Sequence, residues 1–507
     1  MNTHSPRRPS TPSCSVWQMW TYSLGEGANS LVMNGVFGFA MICYTKALGL
    51  NPAWAGIAMS VSVFWEAISE PIMGHISDNT RSRWGRRHPY MLVGGLLMAA
   101  CSYFIWAVPD AFRHTQLATF WYLIGINLIL RTGLTMFFIP YMALGFEICT
   151  DYRDRSKIQG IRQILNMAAN FLGPAMAWTF FFSNNDPVPA TTVIGNYMRM
   201  GVAFSTATAV LVLVAVIFTY RWHEDTRGVP KHGGSAVRNF FTDLKEIVLD
   251  PNPRWVFVFI FIACLGTVLV SSLQLFVYDD FMKFSSEKET GRILGFDFNL
   301  SHTSIAHGST MVGYALGAAI SVWLTRFLEK RGIVIVGGLV AVGCNVMLAV
   351  LFLTGFVQPG TEWDVGGMSL PLSLMLFVVF HAGYWLGNGM LMPIAIAMMA
   401  DVSEVQLIKS GQNKDGGYSA VFSLAMRLSF AVGLIVSGYC LNWVGYKVAH
   451  GAEKVAQAPE AIWNIGMVTF VVGGLIGLAA VGAIIKYPIT RKKLEELRRL
   501  HATPHAL

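Results

Sequence analysis

FWEAISEPIMGHISDNTRSRWGRRHPY, residues 64–90, sets two carboxylates, Glu66 and Glu70, inside an apolar run and follows them at once with a burst of arginines. Acids in hydrocarbon are expensive, and where they persist they mark an ion or substrate path. A basic loop at the end of an apolar span marks the cytoplasmic side of a membrane. The stretch therefore predicts a membrane span, its orientation and a candidate coupling site.

The rest of the chain agrees with a membrane location. Of its 507 residues 54% are hydrophobic and 13% charged, against about 25% charged in a soluble protein. So little charge cannot cover a soluble surface, so most of the exterior is expected to face lipid. The formal charge is +8, but the basic residues cluster in short loops between apolar runs, which orients spans and gives no reason to expect a nucleic-acid partner. The cysteines, Cys14, Cys43, Cys101, Cys149, Cys264, Cys344 and Cys440, form no metal-ligand spacing and read as small buried hydrophobes. The polar start MNTHSPRRPSTPSCS has no small-residue cleavage site, so no cleavable signal peptide is expected.

A helical span needs about 20 mostly apolar residues. Twelve candidates emerge, at 17–45, 52–77, 89–108, 117–146, 158–183, 199–221, 254–280, 302–326, 333–356, 371–400, 418–441 and 463–487. The loops TRSRWGRRH (80–88), DYRDRSK (151–157), RWHEDTRGVPKH (221–232), TRFLEKRG (325–332) and RKKLEELRR (491–499) all fall on one side of this arrangement. That makes both termini cytoplasmic. The outer loop at 281–301 carries three Lys/Arg and fits the rule least well. The expected organisation is a cytoplasmic tail (1–16), a six-helix bundle (17–221), a cytoplasmic linker (222–253), a second six-helix bundle (254–487) and a cytoplasmic tail (488–507). Two such halves packed around a central path form the architecture of many transporters.

Three segments resemble the glycoside–pentoside–hexuronide:cation symporters of the major facilitator superfamily, the family of melibiose permease. They are WEAISEPIMGHISDNTRSRWGRRHPY, IPYMALGFEICTDYRDRSKIQGIRQ (139–163) and MMADVSEVQLIKSGQNKDGGYSAVFSLAMRLSFAVGLIVSG (398–438). They lie in order and in both halves. The resemblance implies an all-α membrane protein of twelve helices in two six-helix bundles, the major facilitator fold. It also implies alternating access and symport of a glycoside, sugar or sugar-acid with a proton or sodium, with no other cofactor. A multi-pass monomer in the (inner) cell membrane is expected.

By the same resemblance the family's cation site falls on Glu66, Ser69, Glu70 and Thr135. The family's two sugar-binding aspartates fall at about Ser30 and Phe138, so the galactoside-type carboxylate clamp is missing. A helix-eleven lysine becomes Arg427, and the arginine closing the DYxxR…R stretch becomes Arg162. Asp78, Arg81, Gly85, Arg86 and Arg87 match the superfamily's loop motif after helix two. An acid at a helix end beside arginines can latch neighbouring helix ends through charge-assisted hydrogen bonds, and the same arginines satisfy the positive-inside rule.

Physics supports a site here independently. Glu66 and Glu70, at i and i+4, share one helix face, and two such close carboxylates cannot both stay charged in a low dielectric without help. A cation between them, a proton on one, or a nearby arginine resolves the conflict. Sodium at Glu66 and Glu70 would draw oxygens from Ser69 and Thr135, while the longer Glu side chain suits protonation. The structural alternative is an ion pair with Arg162 or Arg427. Arg131, central in its span, needs a polar cavity or an acid. It either grips an acidic substrate or pairs internally with Glu26 or Glu66. Glu26 and Asn29 share a face and read either as substrate contacts or, for Glu26, as an arginine's partner. His381 reads as a packed, hydrogen-bonded residue. Trp65, Trp385, Phe137 and Tyr141 offer stacking surface for a sugar. A carrier of a lysolipid or other amphiphilic anion with the same fold is the alternative function. No HExxH, Walker A run or Ser/His/Asp grouping supports an enzyme.

Overall fold

The protein, described here from a computed structural model, is defined over residues 15–148, 152–182, 190–220, 254–284, 289–293, 296–300, 302–365, 368–410, 415–448, 456–489 and 491–502. The expected linker at 222–253 and most of the N-terminal tail lie outside these residues. Six helices precede the linker. They are α1 (Val16–Ile42), α2 (Pro52–Asn79), α3 (His88–Phe104), α4 (Gln116–Ile148), α5 (Tyr152–Met176) and α6 (Ile194–Thr219). Six more follow it: α7 (Arg254–Phe276), α8 (His302–Leu324), α9 (Lys330–Leu348), α10 (Leu372–Ser410), α11 (Asp415–Trp443) and α12 (Pro459–Ile485). A short helix, α13 (Arg491–Ala502), closes the described chain.

Local sequence explains the boundaries. Ser15 and Gln18 form a reciprocal capping box that starts α1. Asn51 caps α2 through the Ala53 N–H, with Pro52 at the first helical position. Gly85, at φ +74°, makes the turn into α3 that a side chain would strain. Four helices widen into a π turn at the end opposite the basic loops, at Cys43–Ala47, Ala177–Phe181, Val277–Phe281 and Ala349–Leu353. Two antiparallel hairpins lie at the same end, β1 (Glu289–Ile293) with β2 (Phe296–Leu300) and β3 (Trp363–Val365) with β4 (Met368–Leu370).

Among the described residues nine helices are long and apolar enough to cross a membrane by composition alone; α2, α3 and α5 are not among them. The shortfall has a physical reason: α3 is only 17 residues long, while α2 and α5 carry polar groups that turn inward. α10 runs ten residues past the predicted span and α11 starts three residues before its own. The predicted C-terminal tail contains α13, whose Leu494 is buried in the apolar cluster with Val402 and Val405 of α10.

Packing repeats with a period of six helices. In the first half α1 packs on α5 and α6, α2 on α4, and α3 on α4 and α6. Adding six to each number gives the second half: α7 on α11 and α12, α8 on α10, and α9 on α10 and α12. The two bundles meet through α2 against α11 and α5 against α8, a pair that the same operation exchanges. This is the two-fold relation expected of packed structural repeats. Apolar side chains such as Trp121 and Val379 remain exposed on the outer rim of the bundles, as a lipid-facing surface requires.

The bundles are tied together at the ends opposite the basic loops, the outer ends in the orientation read from charge. Lys46 Nζ lies 2.5 Å from Asp279 and 2.8 Å from Asp280 at the end of α7. Thr191 donates to Asp279 at 2.6 Å, and the Tyr446 hydroxyl to Asp280 at 3.3 Å. Asn442 donates to Asn51 at 2.8 Å, joining α11 to α2.

Candidate functional site

Glu66 sits at mid-depth on α2 and is only 2% exposed. Two arginines meet it. Arg131 of α4 donates through Nη1 at 2.6 Å, and Arg427 of α11 approaches through Nη1 at 2.9 Å. Arg427 also pairs through Nη2 with Glu70, one helical turn further along α2. Two acids and two guanidiniums thus form a charge-balanced group spanning both bundles. Buried charges need this, because an isolated ion pays a desolvation penalty of several kcal/mol. Arg131 is further held against Met33 Sδ, 3.2 Å away, and its guanidinium lies over the Phe37 ring with a 5.0 Å centroid distance. Arg427 Nε is buried with no partner.

Ser69 and Thr135 meet beside this group, with hydroxyls 3.2 Å apart. Ser69 also donates to the Glu66 backbone carbonyl at 3.3 Å. The four residues assigned to a cation site by resemblance are therefore brought together. Their carboxylates, however, are already bound to arginine.

A second polar group lies between α1 and α5. Arg162 donates through Nε to Glu26 at 3.0 Å and pairs with it again through Nη2. Its guanidinium also reaches Gln159 and Met142 and lies over Tyr141. Asn166 donates to Ser30 at 2.7 Å and, at 3.5 Å, to Glu26; Asn170 donates to Asn166; Asn34 pairs with Asn170. The result is a continuous ladder of amides, hydroxyl and ion pair.

The geometry decides between several alternatives left by the sequence. Arg131 pairs with Glu66 and not with Glu26. Arg427 is the partner of the acid pair, while Arg162 belongs to Glu26. Asn29 is not hydrogen-bonded to Glu26, and its Oδ1 is buried without a partner. Phe138 is half-buried and rests on Tyr141. Of the aromatics offered for stacking, Phe137 and Tyr141 are fully buried against each other, 5.5 Å between centroids. Trp65 donates its indole N–H to Thr132 at 2.8 Å. His381 is packed and hydrogen-bonded, receiving the Trp385 indole N–H and lying 3.1 Å from the Tyr278 hydroxyl.

In the loop after α2, Asp78 pairs with Arg87 at 2.6 Å, and Arg87 also donates to Ser77 at 2.9 Å. The contact ties the end of α2 to the start of α3. Sequence reasoning missed Asn34, Asn166 and Asn170, although Asn166 and Asn170 are spaced i, i+4 and so share a face. It also passed over Lys46, Asp279 and Asp280. A lysine and two acids at the ends of apolar runs were the available signal.

Comparison with known proteins gives the family and the fold. Residues 21–491 match the family described as MFS/sugar transport protein. The chain is 24% identical to the inner membrane symporter YicJ of Escherichia coli, over 95% of this chain and 94% of that one. It is 24% identical to the isoprimeverose transporter of Lactiplantibacillus pentosus, over 97% and 93%. It is also 24% identical to the sodium-dependent lysophosphatidylcholine symporter 1-A of Danio rerio, over 95% and 87%. The inward-open xylose transporter XylE from E. coli superposes with a TM-score of 0.58 at 15% identity, covering 96% of this chain and 98% of that one, and so shares the fold. The protein is a multi-pass integral membrane transporter, and the chain belongs to the MFS/sugar transport protein family of the major facilitator superfamily.

Proposed function

We propose that the chain carries a glycoside inward together with a proton, by alternating access between the bundles at 17–221 and 254–487, with both termini cytoplasmic. One observation carries the reading: Arg427 reaches from the second bundle to both Glu66 and Glu70 of the first. The contact joins the bundles while their outer ends are shut. When those ends part, α11 draws Arg427 away from α2. Glu66 keeps Arg131, which belongs to its own bundle. Glu70 is then left exposed to the outer side without a counter-charge and takes up an ion.

A proton suits that site better than sodium. A proton neutralises one carboxylate alone, whereas sodium needs several oxygens. Glu66 is committed to Arg131, and Ser69 and Thr135 bond each other. On this reading Glu70 is the coupling acid, Glu66 its anchor, and Arg427 the internal cation that replaces the proton when the outer side closes. The Asp78–Arg87 pair, with Arg81, Gly85 and Arg86, serves as the cytoplasmic latch.

For the cargo, Arg131 is engaged by Glu66, which removes the main reason to require an acidic substrate. The ladder of Glu26, Arg162, Asn166, Asn170 and Asn34 offers donors and acceptors suited to sugar hydroxyls. A relative named as a lysophosphatidylcholine symporter keeps an amphiphilic cargo as the second reading.

Purified protein in sealed vesicles tests both parts. Uptake of labelled glycosides and of lysophosphatidylcholine is measured under an imposed proton gradient and, separately, a sodium gradient. The expected result is glycoside accumulation driven by the proton gradient, lost in Glu70→Gln while counterflow exchange survives. Accumulation driven by sodium alone, or undiminished in Glu70→Gln, rejects the coupling assignment. Uptake of the lysolipid without any sugar replaces the cargo.

A further inference from the structure

A cavity of about 370 Å³ opens at the basic-loop end of the second bundle, where α8 turns into α9 beneath α13. Arg326, Arg331 and Arg491 line it from three different elements. Leu494 and Ile489 are buried in the bundle's apolar cluster. That burial holds the start of α13 over the cavity and brings Arg491 to the other two arginines.

The local charges do not cancel among themselves. Lys330 and Asp401 neutralise each other, with Nζ 2.7 Å from both carboxylate oxygens. Arg491 shares an exposed pair with Glu495 at 3.0 Å, the kind of surface contact worth about 1 kcal/mol or less. Among the described residues neither Arg326 nor Arg331 has a side-chain hydrogen bond or ion pair. Glu329 is the opposing acid on the rim. It is also the N-cap of α9 but gives no side-chain cap, so the positive end of that helix adds to the field. Counting Arg326, Lys330, Arg331 and Arg491 against Glu329, Asp401 and Glu495 leaves one positive charge in excess.

The rim on the lipid side is apolar. Phe327, which lines the cavity, is 68% exposed, and its ring centroid lies 5.1 Å from that of Trp323 on α8, itself 54% exposed; aromatic residues concentrate where hydrocarbon meets headgroups. Guanidiniums set beside such a rim on the cytoplasmic face match a phosphodiester with its acyl chains lying along the helices. We propose that this cavity binds the headgroup of an anionic phospholipid, with Arg326 and Arg331 on the phosphate and Phe327 and Trp323 against the chains. The site is independent of the transported cargo.

Native mass spectrometry of the full chain, delipidated and then titrated with lipid, tests this. The probes are phosphatidylglycerol, phosphatidylcholine of the same acyl chains, and inorganic phosphate. The expected result is tighter retention of phosphatidylglycerol than of phosphatidylcholine. Retention of phosphatidylglycerol should fall roughly tenfold in the double variant Arg326→Gln/Arg331→Gln. The charge-keeping variant Arg326→Lys/Arg331→Lys should retain it, as should Arg83→Gln in the corresponding loop of the first bundle. Equal retention of the two lipids, or unchanged phosphatidylglycerol binding in the Gln double variant, overturns the site. Inorganic phosphate binding as tightly as phosphatidylglycerol also overturns it, as a site for a free anion.

Discussion

At the scale of single residues, burial turns each charge into a pairing problem, and the solution differs for the two acids of the first bundle's core. Glu66 has two guanidiniums, so losing one leaves it compensated. Glu26 has one, Arg162, and both are about 7% exposed. Arg162→Met therefore strands a buried carboxylate, and breaking such a pair costs about 3–5 kcal/mol. Glu26→Gln in the same chain removes the stranded charge. The double variant is expected to melt well above Arg162→Met in detergent; melting at or below the single variant would mean the pair does not hold the site together. Much of this was legible in the sequence. Glu26, Glu66, Glu70, Arg131, Arg162 and Arg427 are conspicuous because charges are rare in apolar runs. Which acid meets which base was not legible. Glu70 and Arg427 lie 357 positions apart, and their contact depends on how α2 and α11 are rotated against each other, which local spacing does not encode.

At the scale of elements, α2 and α11 approach so closely that backbone touches backbone. A Cβ on Gly438 would stand 3.0 Å from both the Ala53 Cα and the Pro52 carbonyl carbon. Neither neighbour is a flexible side chain, so Gly438→Ala should wedge the outer halves of the two helices apart. Overpacking of this kind costs roughly 1–3 kcal/mol. That penalty falls on the outer-shut state, so the ratio of outer-shut to outer-open molecules should drop about tenfold. An Asn51→Cys/Asn442→Cys pair, bridged by a short bifunctional thiol reagent, reports it: the bridging yield should fall when Gly438→Ala is added. An unchanged yield would show that this crossing is not the outer seal. The helices themselves were readable from apolar length in most cases. α2 and α5 are the less apolar spans because polar groups on them turn inward, and α3 is the short one at 17 residues, yet all three were read from their apolar runs. The Asn166–Asn170 stripe of α5 shows the cost, since a polar face inside a bundle looks like a weak span until its partner helix is known.

At the scale of the whole molecule, packing repeats with a six-helix period, and in the proposed mechanism each bundle moves as one body against the other. A rocker of this kind couples its two ends: opening one side closes the other. The outer ends are held by Lys46, buried between Asp279 and Asp280, with Thr191 and Tyr446 completing the cluster. Lys46→Gln removes the cation that bridges the bundles and leaves the two acids of the second bundle buried without a counter-charge, a desolvation cost that opening to water relieves. Asp280→Asn acts in the opposite sense, because it leaves one ammonium for one carboxylate. Spin labels at Asp110→Cys and Lys447→Cys read the outer distance, and labels at Arg83→Cys and Leu328→Cys read the inner one. Lys46→Gln should lengthen the outer distance and shorten the inner distance in the same sample. Asp280→Asn should narrow the outer distribution around its short value, and Lys46→Arg should preserve the unsubstituted pattern. An outer change with no inner change would mean that the ends move independently. The charge balance at Glu66 and Glu70 could then not be transmitted as a rocking motion, however well the acids themselves are placed.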